Sequence, residues 1–137
     1  MSSRGLYTPQ ILAKAMELSA LPFDDGAPLK GSARSRSCGS VIELSLASDE
    51  HGAITAIGIR PHACAIGQAA AAIFANAAPG MGGQAISQAR VAIAAWLSGE
   101  GDIPQWPEMQ LLEQARSYPA RHGAILLAWD AALEALG

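Results

Sequence analysis

The sequence predicts an α+β fold, a small antiparallel sheet of two to three strands covered by about five helices. Three observations predict it. Two runs of alternating apolar and polar residues, 41–46 and 53–60, are separated only by Ser48-Asp49-Glu50-His51-Gly52. That connection is too short for a parallel crossover, so the two runs pair as an antiparallel hairpin. From Ala63 onward the apolar residues switch to helical spacing, broken only at Gly- and Pro-rich points. One further helical pattern precedes the strands. Strands and helices segregated along the chain in this way pack as helices on one face of a sheet.

Taken in order, Tyr7-Thr8-Pro9-Gln10 reads as a helix start, with Thr8 as N-cap and Pro9 at the first helical position. Ile11, Leu12, Ala15, Met16 and Leu18 or Ser19 form its stripe, and Leu21-Pro22 ends it. Residues 22–32 hold Pro22, Gly26, Pro28 and Gly31 beside Asp24 and Asp25 and read as a loop. Residues 33–39 read as a short edge strand. In 41–46, Ile42, Leu44 and Leu46 share one face, with Glu43 and Ser45 on the other. In 53–60, Ile54, Ala56 and Gly58 lie opposite Thr55, Ile57 and Ile59. Ala63 to Ala77 has almost no polar face, so it predicts a helix buried on most sides. Ala85–Leu97, Trp106–Ser117 and Gly123–Leu136 are the remaining helices, and Trp96, Trp106 and Trp129 fall at core positions.

A chain of 137 residues suits one domain spanning 1–137. Its net charge of −3, with Arg34-Ser35-Arg36 as the one local basic run, argues against nucleic acid as a partner. No apolar stretch is long enough to span a membrane. Met1 to Gly5 has no apolar secretory core, which predicts a cytoplasmic protein. In that compartment Cys38 and Cys64 are free, metal-bound or reactive rather than disulfide-bonded. Only 15% of residues are charged, which points to a surface that meets a partner.

The hairpin brings the two cysteines, 26 positions apart, toward the same end of the sheet. Cys38-Gly39 stands where the chain enters a strand, and Gly39 permits a backbone shape that presents a thiol at a loop tip. Cys64 stands in the first turn of a helix, where unsatisfied N–H groups and the helix dipole favour a thiolate. Arg34 and Arg36 add to this if they point inward. The alternative is two buried thiols acting as small hydrophobes. His122, at the start of the last helix, is a candidate third ligand, since thiolate and imidazole suit zinc and iron alike. Capping or surface exposure is the plainer reading of a lone His there. His62, two residues before Cys64, is a reserve ligand, and His51 reads as a solvated turn residue. No phosphate-binding loop follows the glycines at 80, 82 and 83, and no nucleophile-elbow motif occurs. The reading is of a protein that binds rather than catalyses.

From Leu6 to Leu136 the chain resembles the iron–sulfur cluster scaffold family, of the IscU type and the NifU N-terminal domain. The resemblance is carried by Tyr7-Thr8-Pro9 at the first helix, by Ser37-Cys38-Gly39-Ser40-Val41-Ile42-Glu43-Leu44-Ser45-Leu46, and by the hairpin from Asp49 to Ile59. It continues through Ala63-Cys64-Ala65-Ile66-Gly67-Gln68-Ala69 and Tyr118-Pro119-Ala120-Arg121-His122-Gly123-Ala124-Ile125-Leu126. It implies a single domain of the SufE/IscU-like fold. Family members hold a nascent [2Fe–2S] cluster or a zinc ion with three cysteines, an Asp and sometimes a His. Cys38, Cys64 and His122 match those positions. The Asp of Cys-Gly-Asp is Ser40 here, and the third Cys, the family's usual sulfur acceptor, is Gly123. The family's chaperone-binding Leu-Pro-Pro-Val-Lys is reduced to Pro119 near its place.

The resemblance therefore implies a variant scaffold that holds iron, a [2Fe–2S] cluster or zinc on Cys38, Cys64 and His122. Its partners would be a cysteine desulfurase and acceptor apo-proteins, and it would be a monomer or weak homo-oligomer. Four-ligand cluster binding is the rule, so a fourth ligand would come from solvent, Ser40, His62, a small thiol or a second subunit. The other reading is a degenerate adaptor that keeps the fold to bind assembly partners without a cluster. A persulfide carried on Cys64 is a weaker idea.

Overall fold

The computed structural model describes residues 6–36 and 39–137. Helix α1 spans Pro9–Met16. Thr8 caps it as its position predicts: Oγ1 accepts the Ile11 N–H at 3.2 Å. Beyond Met16 the chain tightens into a 3-10 turn, Glu17–Ala20. The predicted stripe divides. Ile11 and Leu18 are buried, but Leu12 and Met16 are exposed. They sit one position further round the helix, past the face that meets its neighbour.

Three strands form one antiparallel sheet in the order β1 (Leu29–Arg34), β2 (Val41–Ser48), β3 (Ile54–His62). The α+β expectation is borne out, with two corrections. The first strand is Leu29–Arg34, so it covers the end of the predicted loop and little of the predicted 33–39 strand. Gly31 reads as a turn signal in sequence, but here it serves a close approach. A Cβ at Gly31 would overlap the Ala131 carbonyl oxygen and lie 2.7 Å from the Ala135 nitrogen. The second correction concerns β3. Ala47 pairs with Ala56 but Ser48 pairs with Ile54, a bulge that leaves Thr55 unpaired. The extra residue shifts the alternation by one. Ile54 thus joins Ile57 and Ile59 on the inner face, instead of opposing them.

On β2, Ile42, Leu44 and Leu46 face the core with at most 1% exposure, as the alternation predicts. Ser45, on the other face, is also buried, and its Oγ accepts the Asp24 N–H at 2.9 Å.

Helices α2 (Ala65–Ala77), α3 (Gly83–Leu97) and α4 (His122–Leu136) complete the layer. α4 lies across β1 and β2, while α2 packs between α1 and α4. The alanines at 69–72 of α2 are fully buried, so backbones approach closely and little side-chain entropy is lost. The segment predicted as a helix from Trp106 begins at Met109 and winds as a 3-10 helix to Ser117. Glu108 breaks the start with φ +68, a left-handed conformation uncommon outside glycine. Trp106 turns inward instead. Its Nε1–H donates to the Ile73 carbonyl at 2.9 Å. Its ring stacks on Phe74 at 5.8 Å and meets Trp129 edge-on at 5.2 Å. All three tryptophans are core residues, as predicted.

Lys14 ties α1 to this segment, 2.6 Å from Glu108 and 3.2 Å from Glu17. Burial opposes the Lys14 charge, but the hydrogen bonds and charges of Glu108 and Glu17 outweigh it and raise its pKa. The hydrogen bond from Asn76, helped by Lys14, holds Glu17 below the usual carboxylate range against the effect of burial. No helix among the described residues is long and apolar enough to cross a membrane.

The contact at Gly31 gives a direct test. Gly31→Ala should lower stability by about 1–3 kcal/mol, since backbone atoms of α4 would have to move to admit the methyl group. Urea denaturation should show a lower midpoint with an unchanged slope. An unchanged midpoint would mean that α4 does not sit on β1 as described.

Candidate functional site

Strand register brings several chain segments to one end of the sheet. Arg34 pairs with Val41, and Val41 with His62, so the end of β1, the start of β2 and the end of β3 lie level. Cys64 follows His62 by two residues and is the N-cap of α2. The start of α4 lies alongside, because a Cβ at Gly67 would sit 3.5 Å from both Cβ and the carbonyl oxygen of Ala124. The other end of α4 lies far off, where Leu136 and Leu29 line a common cavity. His51 lines that same distant cavity, away from the start of α2 that bears Cys64.

Cys64 is a half-buried free thiol. It caps the helix rather than standing inside its first turn, a one-residue shift from the expectation. Its carbonyl accepts the Gln68 N–H at 3.0 Å, and Gln68 Nε2 closes back on the Ala63 carbonyl at 2.8 Å. The side chain makes no capping hydrogen bond. The sulfur therefore sits at the positive end of a helix of 13 residues without being committed to its backbone.

Cys38, the first predicted ligand, lies outside the described residues. The described residues on either side of it are joined to each other. Ser35 N–H donates to the Ser40 carbonyl at 2.8 Å, and Gly39 N–H donates to the Ser35 carbonyl at 3.0 Å. Gly39 has φ +71, the left-handed shape that its position predicts. Ser40 is buried. Arg34 and Arg36 are exposed and do not turn inward.

His122 is the first residue of α4 and is half-buried. Its Nε2 lies 3.0 Å from the Ala115 carbonyl oxygen. A carbonyl only accepts, so Nε2 carries the proton in this bond. In the neutral ring the lone pair is then on Nδ1. A backbone carbonyl that fixes the tautomer in this way is the usual support of a metal-binding imidazole. His62 is exposed at the end of β3, and Gly123 adjoins His122 on the half-buried start of α4.

The structure thus brings the helix starts that bear Cys64 and His122 to the end where the β1–β2 turn lies. Among the described residues no three His, Cys, Asp or Glu side chains are grouped to hold a metal ion. The described donors are one thiol and one imidazole. That chemistry suits zinc or iron but makes an incomplete set without Cys38. One feature escaped sequence reasoning altogether: an open cavity of about 520 Å³ beside His122, lined by Leu97, Ser98, Gly99, Arg116, Ser117 and Pro119. Its walls come from three separate segments, and a lone Arg carries no motif.

The His122 geometry predicts that neutral His122 is the Nε2–H tautomer. Long-range proton–nitrogen NMR correlations at alkaline pH should show a protonated Nε2. An Nδ1–H pattern would contradict the bond to Ala115.

No protein-family model matches the sequence, and no curated protein matches it. Solved structures do. The N-terminal part of a nitrogen-fixing NifU-like protein from Brucella abortus is 27% identical, with a TM-score of 0.85 over 95% of this chain and 91% of that one. A candidate iron–sulfur cluster assembly scaffold protein for the SUF system, from Fervidobacterium islandicum AW-1, is 20% identical, with a TM-score of 0.87 over 99% of this chain and 100% of that one. A third, a hypothetical protein, is 24% identical with a TM-score of 0.76. Over nearly its whole length, the chain thus shares the fold of these NifU-like and iron–sulfur scaffold structures, in line with its resemblance to IscU-type scaffolds and NifU N-terminal domains.

Proposed function

We propose that this chain, as a single domain, is a variant iron–sulfur assembly scaffold that carries iron or a [2Fe–2S] cluster as transient cargo. The ligands are Cys38, Cys64 and His122. The observation that carries the reading is the meeting of two helix starts, at Cys64 and His122, at the end of the sheet where the β1–β2 turn lies. An uncommitted thiol at a helix N-cap and an imidazole held by a carbonyl are the kinds of donor such cargo needs. Ser40 and Gly123 replace a carboxylate and a thiolate, so the set has three protein ligands where four are the rule. A site with a missing ligand releases its cargo more readily than a full one, which suits handover to an acceptor apo-protein. A cysteine desulfurase would supply the sulfur. The chain acts as a carrier in the cytoplasm, without catalysis of its own, as a monomer or weak homo-oligomer. Zinc is the other cargo that two thiolates and an imidazole would take.

Anaerobic reconstitution with iron and sulfide should give a visible absorption band, absent in Cys38→Ala and in Cys64→Ala. Gly123→Cys, which restores a thiolate beside His122, should lengthen the life of that band. No band in the parent protein would contradict the reading.

A second reading has its own support. Met16 is 76% and Leu12 45% exposed. Met16 also lines a cavity of about 340 Å³ with Leu18, Pro61 and Gln68, close to the start of α2. Exposed apolar side chains beside a cavity suit contact with a partner protein. On this reading the chain is an adaptor for a desulfurase and needs no cluster. A Cys38→Ala/Cys64→Ala double variant would then bind the desulfurase as the parent does, and loss of that binding would rule the adaptor out.

A further inference from the structure

The cavity beside His122 contains a cation held in place, and among the described residues no carboxylate meets it. Arg116 Nε–H donates to the Trp96 carbonyl at 2.8 Å, and its guanidinium carbon lies 5.2 Å from the centre of the Trp96 ring. Trp96 is itself buried at 3% exposure. The side chain is therefore fixed at one end by a hydrogen bond and along its face by a ring. Its two terminal nitrogens remain as a fork of donors. Among the described residues no carboxylate pairs with Arg116, whereas Lys14, Arg60 and Arg90 each have at least one; Lys30, Arg34, Arg36 and Arg121 also lack one, but none of them lines this cavity.

The walls add polar groups of the right kind. Ser98 and Ser117 line the cavity together with His122. Among the described residues its lining includes no Asp or Glu. At about 520 Å³ it has the size of a small-molecule site. A chain with net charge −3 does not gather anions by its overall field, so a local cation must do it.

We infer that this cavity binds a small oxyanion-bearing molecule, a carboxylate or a phosphate, on the terminal nitrogens of Arg116. The end of a guanidinium offers two parallel N–H donors that match either group. Ser98 and Ser117 supply further hydrogen bonds, and Leu97 and Pro119 cover the non-polar part of the ligand. The site is separate from the sulfur of Cys64 and holds whether or not the chain carries a cluster. Its occupant would lie against His122, so it would bear on whatever His122 holds.

The test is calorimetric titration of the metal-free full chain with succinate and, separately, with inorganic phosphate, at constant ionic strength. At least one anion should bind saturably at one site, with a Kd of about 1 mM or tighter. Arg116→Gln should weaken it by about tenfold or more. Ser117→Glu, which leaves the Arg116 contacts intact but places a competing carboxylate at the cavity wall, should weaken it as much. Lys30→Gln, on the exposed side of β1, removes the same charge elsewhere and should leave binding unchanged. Preference for succinate assigns the site to carboxylates, and preference for phosphate assigns it to phosphates. Absence of saturable binding, or equal weakening by Lys30→Gln, would overturn the inference.

Discussion

The close contact of α4 with β1 at Gly31 is the constraint on which the rest of the structure depends. Only hydrogen at that position lets the Ala131–Ala135 turn of α4 lie directly on the strand. Helix-on-sheet packing at that depth fixes the height of α4 above the sheet. It also fixes the line along which α4 runs back toward the β1–β2 turn. A looser contact, at ordinary van der Waals distance, brings α2 against α4 at their first turns, where a Cβ at Gly67 would sit 3.5 Å from Ala124. Small residues at both contacts let backbones set the geometry, with little left to flexible side chains. The positions of Cys64 and His122 follow from these two contacts.

The aromatic cluster of Phe74, Trp106 and Trp129 serves the other end of the same need. A core built largely from alanine, isoleucine and leucine has few large groups to exclude water. Three rings packed edge-on and stacked fill the space between α2, α4 and the segment after Glu108. The Trp106 indole bonds to the Ile73 carbonyl, so a buried polar group is satisfied where the chain turns inward. Lys14 and its two glutamates close that region from outside. The left-handed turn at Glu108 is held between these two sets of contacts.

Much of this was legible in the sequence where a pattern repeats over several residues. The alternation of Ile42, Leu44 and Leu46, the Thr8-Pro9 cap and the nearly all-apolar α2 each declare their structure locally. Three features were not legible, each because its cause lies far away in the chain. Gly31 looks like loop chemistry until α4 is placed upon it. The bulge at Thr55 needs the partner strand, since alternation within 53–60 looks regular by itself. The 3-10 winding after Glu108 depends on Trp106 being drawn into the core. For the site, the helix start at Cys64 and the glycine shape at Gly39 were legible. The hold of Ala115 on His122 and the cavity around Arg116 were not, because they join segments that no motif links.

Within a fold shared with NifU N-terminal domains, Ser40 and Gly123 stand where a carboxylate and a thiolate are found in the family pattern. The proposal that cargo is still carried rests on the donors that remain. The most direct test is the iron, zinc and acid-labile sulfide content of protein purified anaerobically from cells, with Cys64→Ala prepared alongside. The account predicts iron and sulfide in equal amounts in the parent and neither in the variant. Protein that is folded but free of iron and sulfide, or that holds the same amounts without Cys64, would contradict it.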